Sequence, residues 1–218
     1  MEKIQKNLQK TYDLIANDFD AKRPKTWSQV DNFLKKNNFV GNNNVLMLDM
    51  FAGSGRHSFY KTTIISTDFS VNMLKLINKK KTNKEKAPFP VLCDSLNLPF
   101  IDNCFDCIVC IAGIHHFKLK KQRKQVLYEM KRVLKKGGKF IISTWSKNAF
   151  EKDTPKNYFC KWDKKHFRYY YLFEPKEFEE LVESCGLKTE RVFEDGIGKA
   201  KNIWIEGMKN KTTPTKFL

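Results

Sequence analysis

The segment Val45-Leu-Met-Leu-Asp49-Met-Phe51-Ala52-Gly53-Ser54-Gly55-Arg56 constrains the fold more than any other stretch of this chain. Its mainly apolar first half suits a buried strand, and the small residues after it suit a glycine loop, Phe51–Gly55, that opens a short helix. Such a loop lets a ligand come close to the backbone at the carboxyl end of the first strand. A lone Gly-x-Gly is weak by itself. Two acids further along the chain give it weight. Asp68 closes a second strand-like run, Thr63–Thr67, where an acid can bond both hydroxyls of a ribose. Asp94 comes after a third, Pro88–Cys93, where an acid can accept from an adenine amino group. Each acid alone would ordinarily be a turn or helix-cap residue. With Asp49 there are three acids, each at the carboxyl end of a strand, and together they favour a ligand site instead.

The remaining elements alternate in the same way. Ile4, Leu8, Tyr12 and Ile15 share one helical face, so residues 1–40 read as an N-terminal helical cap, broken at Pro24 and resuming near Trp27, Val30, Phe33 and Leu34. A helix with Val71, Leu74 and Ile77 inward comes after the second strand. Phe105–Ala112 is a continuous apolar run, as a strand buried on both faces requires. Lys121–Leu134 is a helix ended by Gly137-Gly138, and Lys139–Trp145 is the fifth strand. Residues 146–166 are polar and irregular, a lid or insertion. Pro175–Cys185 is a helix closed by Gly186, and Leu187–Glu194 and Asn202–Met208 finish as an antiparallel hairpin at a sheet edge. The expectation is one α/β domain over residues 1–218: a doubly wound, seven-stranded, mostly parallel, Rossmann-like sheet with one antiparallel edge strand.

No apolar run approaches the roughly 18–20 residues of a membrane span, and the lysine-rich N-terminus lacks an apolar signal core. The expectation is a soluble cytoplasmic protein, with nuclear presence allowed, no membrane contact and six free thiols. Cys104-x-x-Cys107-x-x-Cys110 has the look of a metal motif, but in a strand Cys107 would face away from the other two, so no metal is expected. The net charge of +17 suggests a polyanionic partner such as nucleic acid. The 41 basic residues comprise 35 Lys and 6 Arg, a bias that AT-rich codon usage would also produce, so charge alone does not decide.

From about residue 44 to 146 the succession resembles the class I S-adenosylmethionine (SAM)-dependent methyltransferases. The resemblance implies SAM as cofactor, held by Asp49, Ala52, Gly53, Ser54 and Gly55, by Asp68 and Phe69, by Asp94, Ser95 and Leu96, and by Ile111 at the end of the fourth strand. Phe51 stands where that class usually has the first glycine of the loop. A nicotinamide enzyme would show a third glycine, absent here, and a catalytic pair for hydride transfer.

Further stretches resemble the eukaryotic tRNA methyltransferases that esterify 5-carboxymethyluridine at the wobble position. They are Tyr12-x-x-Ile15-Ala16-x-x-Phe19 with Arg23 and Trp27, Ile111-Ala112 leading to His115-His116-Phe117, Asn157–Trp162, Arg168-Tyr169-Tyr170-Tyr171-Leu172-Phe173, and Asn202-Ile203-Trp204. The resemblance implies methyl transfer to the uridine carboxylate, with Arg23, His115 and His116 as catalytic residues and Tyr12, Trp27, Trp162, Arg168, Tyr169 and Tyr170 contacting the acceptor in the anticodon loop. It also implies a small zinc-binding activator subunit, docked on the edge beside the third strand near Phe89 and Val91. A carboxylate is ionised near neutral pH and needs no strong base, so alignment and water exclusion suffice, with an arginine such as Arg23 as a planar clamp. The competing readings are a quinone- or lipid-type methyltransferase and a non-catalytic RNA-binding scaffold of the same fold.

Overall fold

The computed structural model of the chain describes residues 3–80, 87–196, 198 and 201–211. Helices α1 (Lys3–Ala21) and α2 (Ser28–Lys36) precede β1 (Leu46–Met50) and β2 (Thr63–Asp68). Then come α3 (Val71–Lys80), β3 (Phe89–Leu92), β4 (Phe105–Ile111), α4 (Lys120–Val133) and β5 (Leu134–Trp145). A hairpin of β6 (Asn157–Lys161) and β7 (Phe167–Tyr171), helix α5 (Pro175–Ser184), and strands β8 (Lys188–Asp195) and β9 (Asn202–Met208) complete the described chain.

Strand side chains alternate between faces, and here both faces are apolar, so both need cover. On one face Met47, Ile64, Val109, Ile141 and Trp204 pack against Val30, Phe33 and Leu34 of α2. On the other, Leu48, Met50, Ile108, Phe140 and Ile142 pack against Val126 and Met130 of α4 and Phe178 and Leu181 of α5. Cys107 falls in the first layer and Cys110 in the second, so the cysteine run is split across the sheet. All six cysteines are free thiols, and no metal-holding group of side chains occurs among the described residues. No helix among those residues is long and apolar enough to cross a membrane.

The sheet order is β3-β2-β1-β4-β5-β9-β8. Strands β1 to β5 run parallel, and the final hairpin enters at one edge with β9 antiparallel to both β5 and β8. The order reverses between β1 and β4, so the loops leaving their carboxyl ends diverge and open a crevice. Helix α1 lies across that end, packed on α3 through Ala16, Met73 and Leu76.

Four local expectations need correction. The loop after β1 continues as turns over residues 53–57 and no helix forms, because Gly53 (φ 56°) and Gly55 (φ 81°) both adopt left-handed conformations that a helix excludes. Val71 is exposed, while Leu74 and Ile77 face inward as expected, joined by Met73 and Leu76. Gly137 and Gly138 lie within β5, where residues 135–138 bulge out between the Phe105–Leu134 and Cys107–Lys139 pairings; Gly137 at φ 77° permits the excursion. Residues 157–161 are a strand, with Tyr158 and Cys160 half-buried and Asn157, Phe159 and Lys161 exposed, so part of the supposed irregular lid is ordered pairing with β7.

Phe51 adopts the left-handed backbone (φ 56°) that its position demands, a strain of about 1–2 kcal/mol for a residue with a side chain. Its ring offsets that cost by packing on the core and lying edge-on to Phe117, 6.2 Å away. The ring also fills the space above Gly113, where a Cβ would come within 2.1 Å of it. Phe51 and Gly113 are therefore complementary. Gly113→Ala should destabilise the fold by about 1–3 kcal/mol, and adding Phe51→Gly should restore part of the loss. Urea unfolding checks this: a double variant no more stable than Gly113→Ala would show that the ring is not what excludes a side chain there.

Candidate active site

The crevice has two lobes that share Phe51, Asp68, Phe69 and His116 as walls. The smaller, about 40 Å³, is walled by the apolar side chains of Leu8, Phe51, Phe69 and Phe117, with Asp94 and Ser95 as polar lining. The larger, about 200 Å³, runs past Gly53, Ile111 and Gly113 to Tyr12, Arg23, Trp27, His115, Arg168 and Tyr170.

Asp68 stands where the lobes meet. Its Oδ2 accepts from Gly53 N (2.9 Å) and its Oδ1 from Ser70 N (2.9 Å). Burial pushes its pKa up to about 6, against the pull of those amide donors. Each oxygen keeps acceptor capacity, which suits a vicinal diol. In the small lobe Asp94 Oδ1 accepts from Leu96 N (3.0 Å), which aims the carboxyl group from a tight turn. A mainly apolar slot with an acid at its wall suits an adenine ring. SAM therefore fits the crevice: adenine in the small lobe, ribose at Asp68, and the methionine portion toward Gly53 and Ile111.

At the far side of the large lobe the side chains form a relay. His116 Nδ1 lies 2.9 Å from the Tyr169 carbonyl, which can only accept, so Nδ1 carries the proton. Nε2 is then bare and accepts from the Tyr12 hydroxyl at 2.8 Å. Burial, the larger cause, and the Arg168 charge push His116 down to about 3, so the ring is neutral with both nitrogens engaged. His115 is also buried, its pKa driven well below the ordinary value by burial and by His116 and Arg168. Its Nδ1 lies 3.3 Å from Thr144 Oγ1, and its ring packs edge-on against Tyr170 with centroids 4.4 Å apart.

Arg168 is only 4% exposed, its Nε has no hydrogen-bond partner, and its guanidinium lies between Trp162 (4.7 Å) and Tyr170 (5.2 Å). Arg23 lies 4.0 Å over the Phe19 ring and 4.9 Å over Trp162. Its pKa is lowered by burial and then by Arg168, the mark of two cations facing one space. Among the described residues neither arginine forms an ion pair with a carboxylate.

Residues 48–142 match the methyltransferase domain family. The chain is 29% identical to the Schizosaccharomyces pombe tRNA (carboxymethyluridine(34)-5-O)-methyltransferase, over 91% of this chain and 94% of that one. It is 30% identical to a candidate methyltransferase of Encephalitozoon cuniculi, over 82% and 85% of the two chains. Among solved structures, the candidate methyltransferase in complex with the Haloferax volcanii Trm112 methyltransferase activator shares the fold at a TM-score of 0.72, with 14% identity over 95% of this chain and 99% of that one. A SAM-dependent methyltransferase of Methanosarcina mazei does so at 0.70, with 17% identity over 81% and 97%. The chain belongs to the class I SAM-dependent methyltransferases, in the family of the tRNA (carboxymethyluridine(34)-5-O)-methyltransferases. It is an enzyme whose methyl donor is SAM.

The sequence-based site residues separate on this geometry. Gly53, Asp68, Phe69, Asp94, Ser95, Ile111, Tyr12, Arg23, Trp27, His115, His116, Arg168 and Tyr170 line the two lobes. Ala52, Ser54, Gly55 and Leu96 shape the loops behind the walls: Ala52 N donates to Thr67 O, Gly55 N to Ala52 O, and Lys80 Nζ to the Ser54 carbonyl. Asp49 is not in the wall. Its side chain lies beneath the loop and accepts from Ser58 Oγ (2.6 Å), which positions the loop. Tyr169 is corrected too. Strand alternation turns its ring to the other face of the hairpin, where its hydroxyl bonds Asn157, while its carbonyl orients His116. Trp162 lies at the mouth, stacked on Phe19, rather than in the larger lobe. His116, expected to be catalytic, lines both lobes and accepts a hydrogen bond from Tyr12. Sequence reading missed Gln5, Leu8, Phe19, Phe51, Trp145 and Asn202 as walls. Phe19 was within reach: it lies seven residues after Tyr12, on the same helical face.

Two outcomes are expected. Asp68→Ala should weaken SAM binding roughly ten- to a hundred-fold, the worth of hydrogen bonds to a charged acceptor, as read by calorimetry on folded protein; unchanged affinity would refute the ribose assignment. The second concerns Asp49, whose pKa burial raises to about 7, with Ser58 opposing. Its folded pKa lies above the unfolded value near 4, so the native state holds the extra proton between those limits and stability falls as pH rises through that window. Ionised Asp49 thus costs on the order of 4 kcal/mol above pH 7. Asp49→Asn should melt at a higher temperature than wild type at pH 8, and the gap should close near pH 4. An equal difference at both pH values would show that the carboxylate is not buried as described.

Proposed function

We propose that the enzyme transfers the methyl group of SAM to the carboxylate of 5-carboxymethyluridine at the tRNA wobble position, forming the methyl ester. The observation that carries this reading is the pair of arginines, Arg23 and Arg168, that face one aromatic cavity without a carboxylate partner. A buried guanidinium lacking a counter-ion is costly, and an acceptor carboxylate would supply the missing charge in a planar, two-point contact. The naming of the fission-yeast relative for this reaction supports the acceptor.

The chemistry asks little of the protein beyond placement. SAM supplies an electrophilic methyl group on a sulfonium. One carboxylate oxygen forms the new bond to carbon as the methyl–sulfur bond breaks and its electron pair returns to sulfur, so no proton moves. Neutral, engaged histidines suit such a step, since no base is needed. Arg23 and Arg168 hold the carboxylate and leave one oxygen lone pair toward the methyl, while Tyr170, Trp145 and His115 exclude water from the reacting atoms. The anticodon loop reaches the cavity from the surface beside Trp27.

We propose that an activator subunit docks on the open edge of the sheet, where β3 has a neighbour on one side only; Phe89 and Leu92 are exposed there, while Val91, expected at this contact, is half-buried. A methyltransferase of the same fold is in complex with the Haloferax volcanii Trm112 methyltransferase activator, which supports this reading.

Arg23→Ala should lose roughly ten- to a hundred-fold in kcat/KM on tRNA bearing 5-carboxymethyluridine, with SAM affinity near wild type. Arg23→Lys should recover only part, because lysine lacks the planar fork. Arg168→Ala should behave like Arg23→Ala, with SAM affinity reporting that the variant has folded. Nucleoside mass spectrometry reads the product, and wild-type turnover by both alanine variants would overturn the acceptor assignment.

A further inference from the structure

Past Arg23 and Trp27 the acceptor cavity opens into a surface groove of about 500 Å³ that the reaction itself does not use. Its lining carries the cations Lys22, Arg23, Lys25 and Arg56, the two indoles of Trp27 and Trp162, and no acidic side chain. The nearby acids are already engaged. Asp18 holds Lys22 at 2.7 Å and accepts from Trp162 Nε1 at 2.8 Å, Asp20 pairs with Lys80, and Asp31 accepts from Thr26 and Tyr60. Among the described residues Lys25 and Arg56 form no ion pair. The Arg56 guanidinium rests 5.1 Å over the Trp27 ring and is partly buried without a counter-ion, which lowers its pKa to about 10. Trp27 is braced edge-on by Trp204 and Trp162 is stacked on Phe19, so both half-exposed indoles are held as rigid planes.

Unpaired cations alternating with braced aromatic planes form the pattern that binds single-stranded nucleic acid, where phosphates meet charge and bases meet rings. An acidic peptide would satisfy the charges but leave the indoles without a flat partner. We propose that this groove binds the nucleotide adjoining the acceptor, with its phosphate at Lys25 and Arg56 and its base against the indoles of Trp27 and Trp162. The inference rests on the RNA acceptor proposed above. It adds a requirement: the nucleotide beside the modified one must be unpaired and able to leave its own stack.

The test uses three probes: 5-carboxymethyluridine as the free nucleoside, a trinucleotide carrying it at the centre, and the same trinucleotide with abasic flanks. The full chain is compared with Lys25→Ala, Arg56→Ala and their combination. Wild type should prefer the trinucleotide to the nucleoside. The double variant should raise KM for the trinucleotide about ten-fold or more and leave nucleoside turnover unchanged. It should also flatten the slope of log affinity against log salt by about 0.7 for each phosphate the protein no longer neutralises. Abasic flanks should weaken wild-type binding about five- to a hundred-fold. Wild-type affinity and salt slope in the double variant would overturn the groove. So would equal binding of the abasic probe, and if a glutamate-rich peptide of matched charge then displaced the trinucleotide, the groove would belong to an acidic peptide. A wild-type enzyme that binds the trinucleotide but methylates neither acceptor would overturn the proposed reaction, and the binding arms would still judge the groove by themselves.

Discussion

The hydrogen bond from Gly53 N–H to the Asp68 carboxylate is the contact on which the rest of the site depends. It ties the loop after β1 to the end of β2, and Ala52 N to Thr67 O adds a second tie one residue earlier. The other oxygen of Asp68 holds Ser70 N and so orients the entry to α3. One buried carboxylate thus sets three chain segments around the point where the lobes meet. Asp49 adds support from below by fixing Ser58 beyond the loop. Both acids are costly to bury, and their raised pKa values measure that cost. A fold selected for stability alone would have little reason to keep either.

The second network joins parts of the chain far apart in sequence. Tyr12 comes from α1, His116 from the turn after β4, and Arg168 and the Tyr169 carbonyl from β7. The arrangement works because β7 is a strand. Arg168 and Tyr170 point into the cavity while Tyr169 points away, leaving its carbonyl free to set the tautomer of His116. The histidine in turn accepts the hydrogen bond of the Tyr12 hydroxyl, so the tyrosine oxygen can face the Arg168 guanidinium. Polar groups buried this deeply need partners, and Arg168 Nε, which faces this network, has none among the described residues.

Much of the fold was legible in the sequence because strand burial is written as apolar runs and the glycine loop as small residues. The split cysteines stem from periodicity two and the closing hairpin from a short connection. Legibility failed where the signal was conformational rather than compositional. Nothing in the string Gly53-Ser54-Gly55-Arg56 says that two left-handed glycines forbid a helix, and nothing in Lys135–Gly138 announces a bulge inside a strand. In the site, residue types were read well and facing directions less well. Tyr169 and Asp49 have the right chemistry but point elsewhere, since a missed strand hides the alternation that turns one and the loop covers the other. Phe51 was visible as a departure, but its reason lies in Gly113, far along the chain, which only the folded structure brings against it.

Helix α1 carries a consequence for the order of events. Gln5 and Leu8, near its start, wall the small lobe, and Tyr12, Phe19 and the nearby Arg23 wall the large one. A single rigid helix therefore roofs both the donor's compartment and the acceptor's. Swinging it aside would uncover the two together, so neither occupant can be exchanged on that side while the other stays sealed. The acceptor's compartment keeps its own opening beside Trp27, so the helix couples the two compartments without being the only way into both.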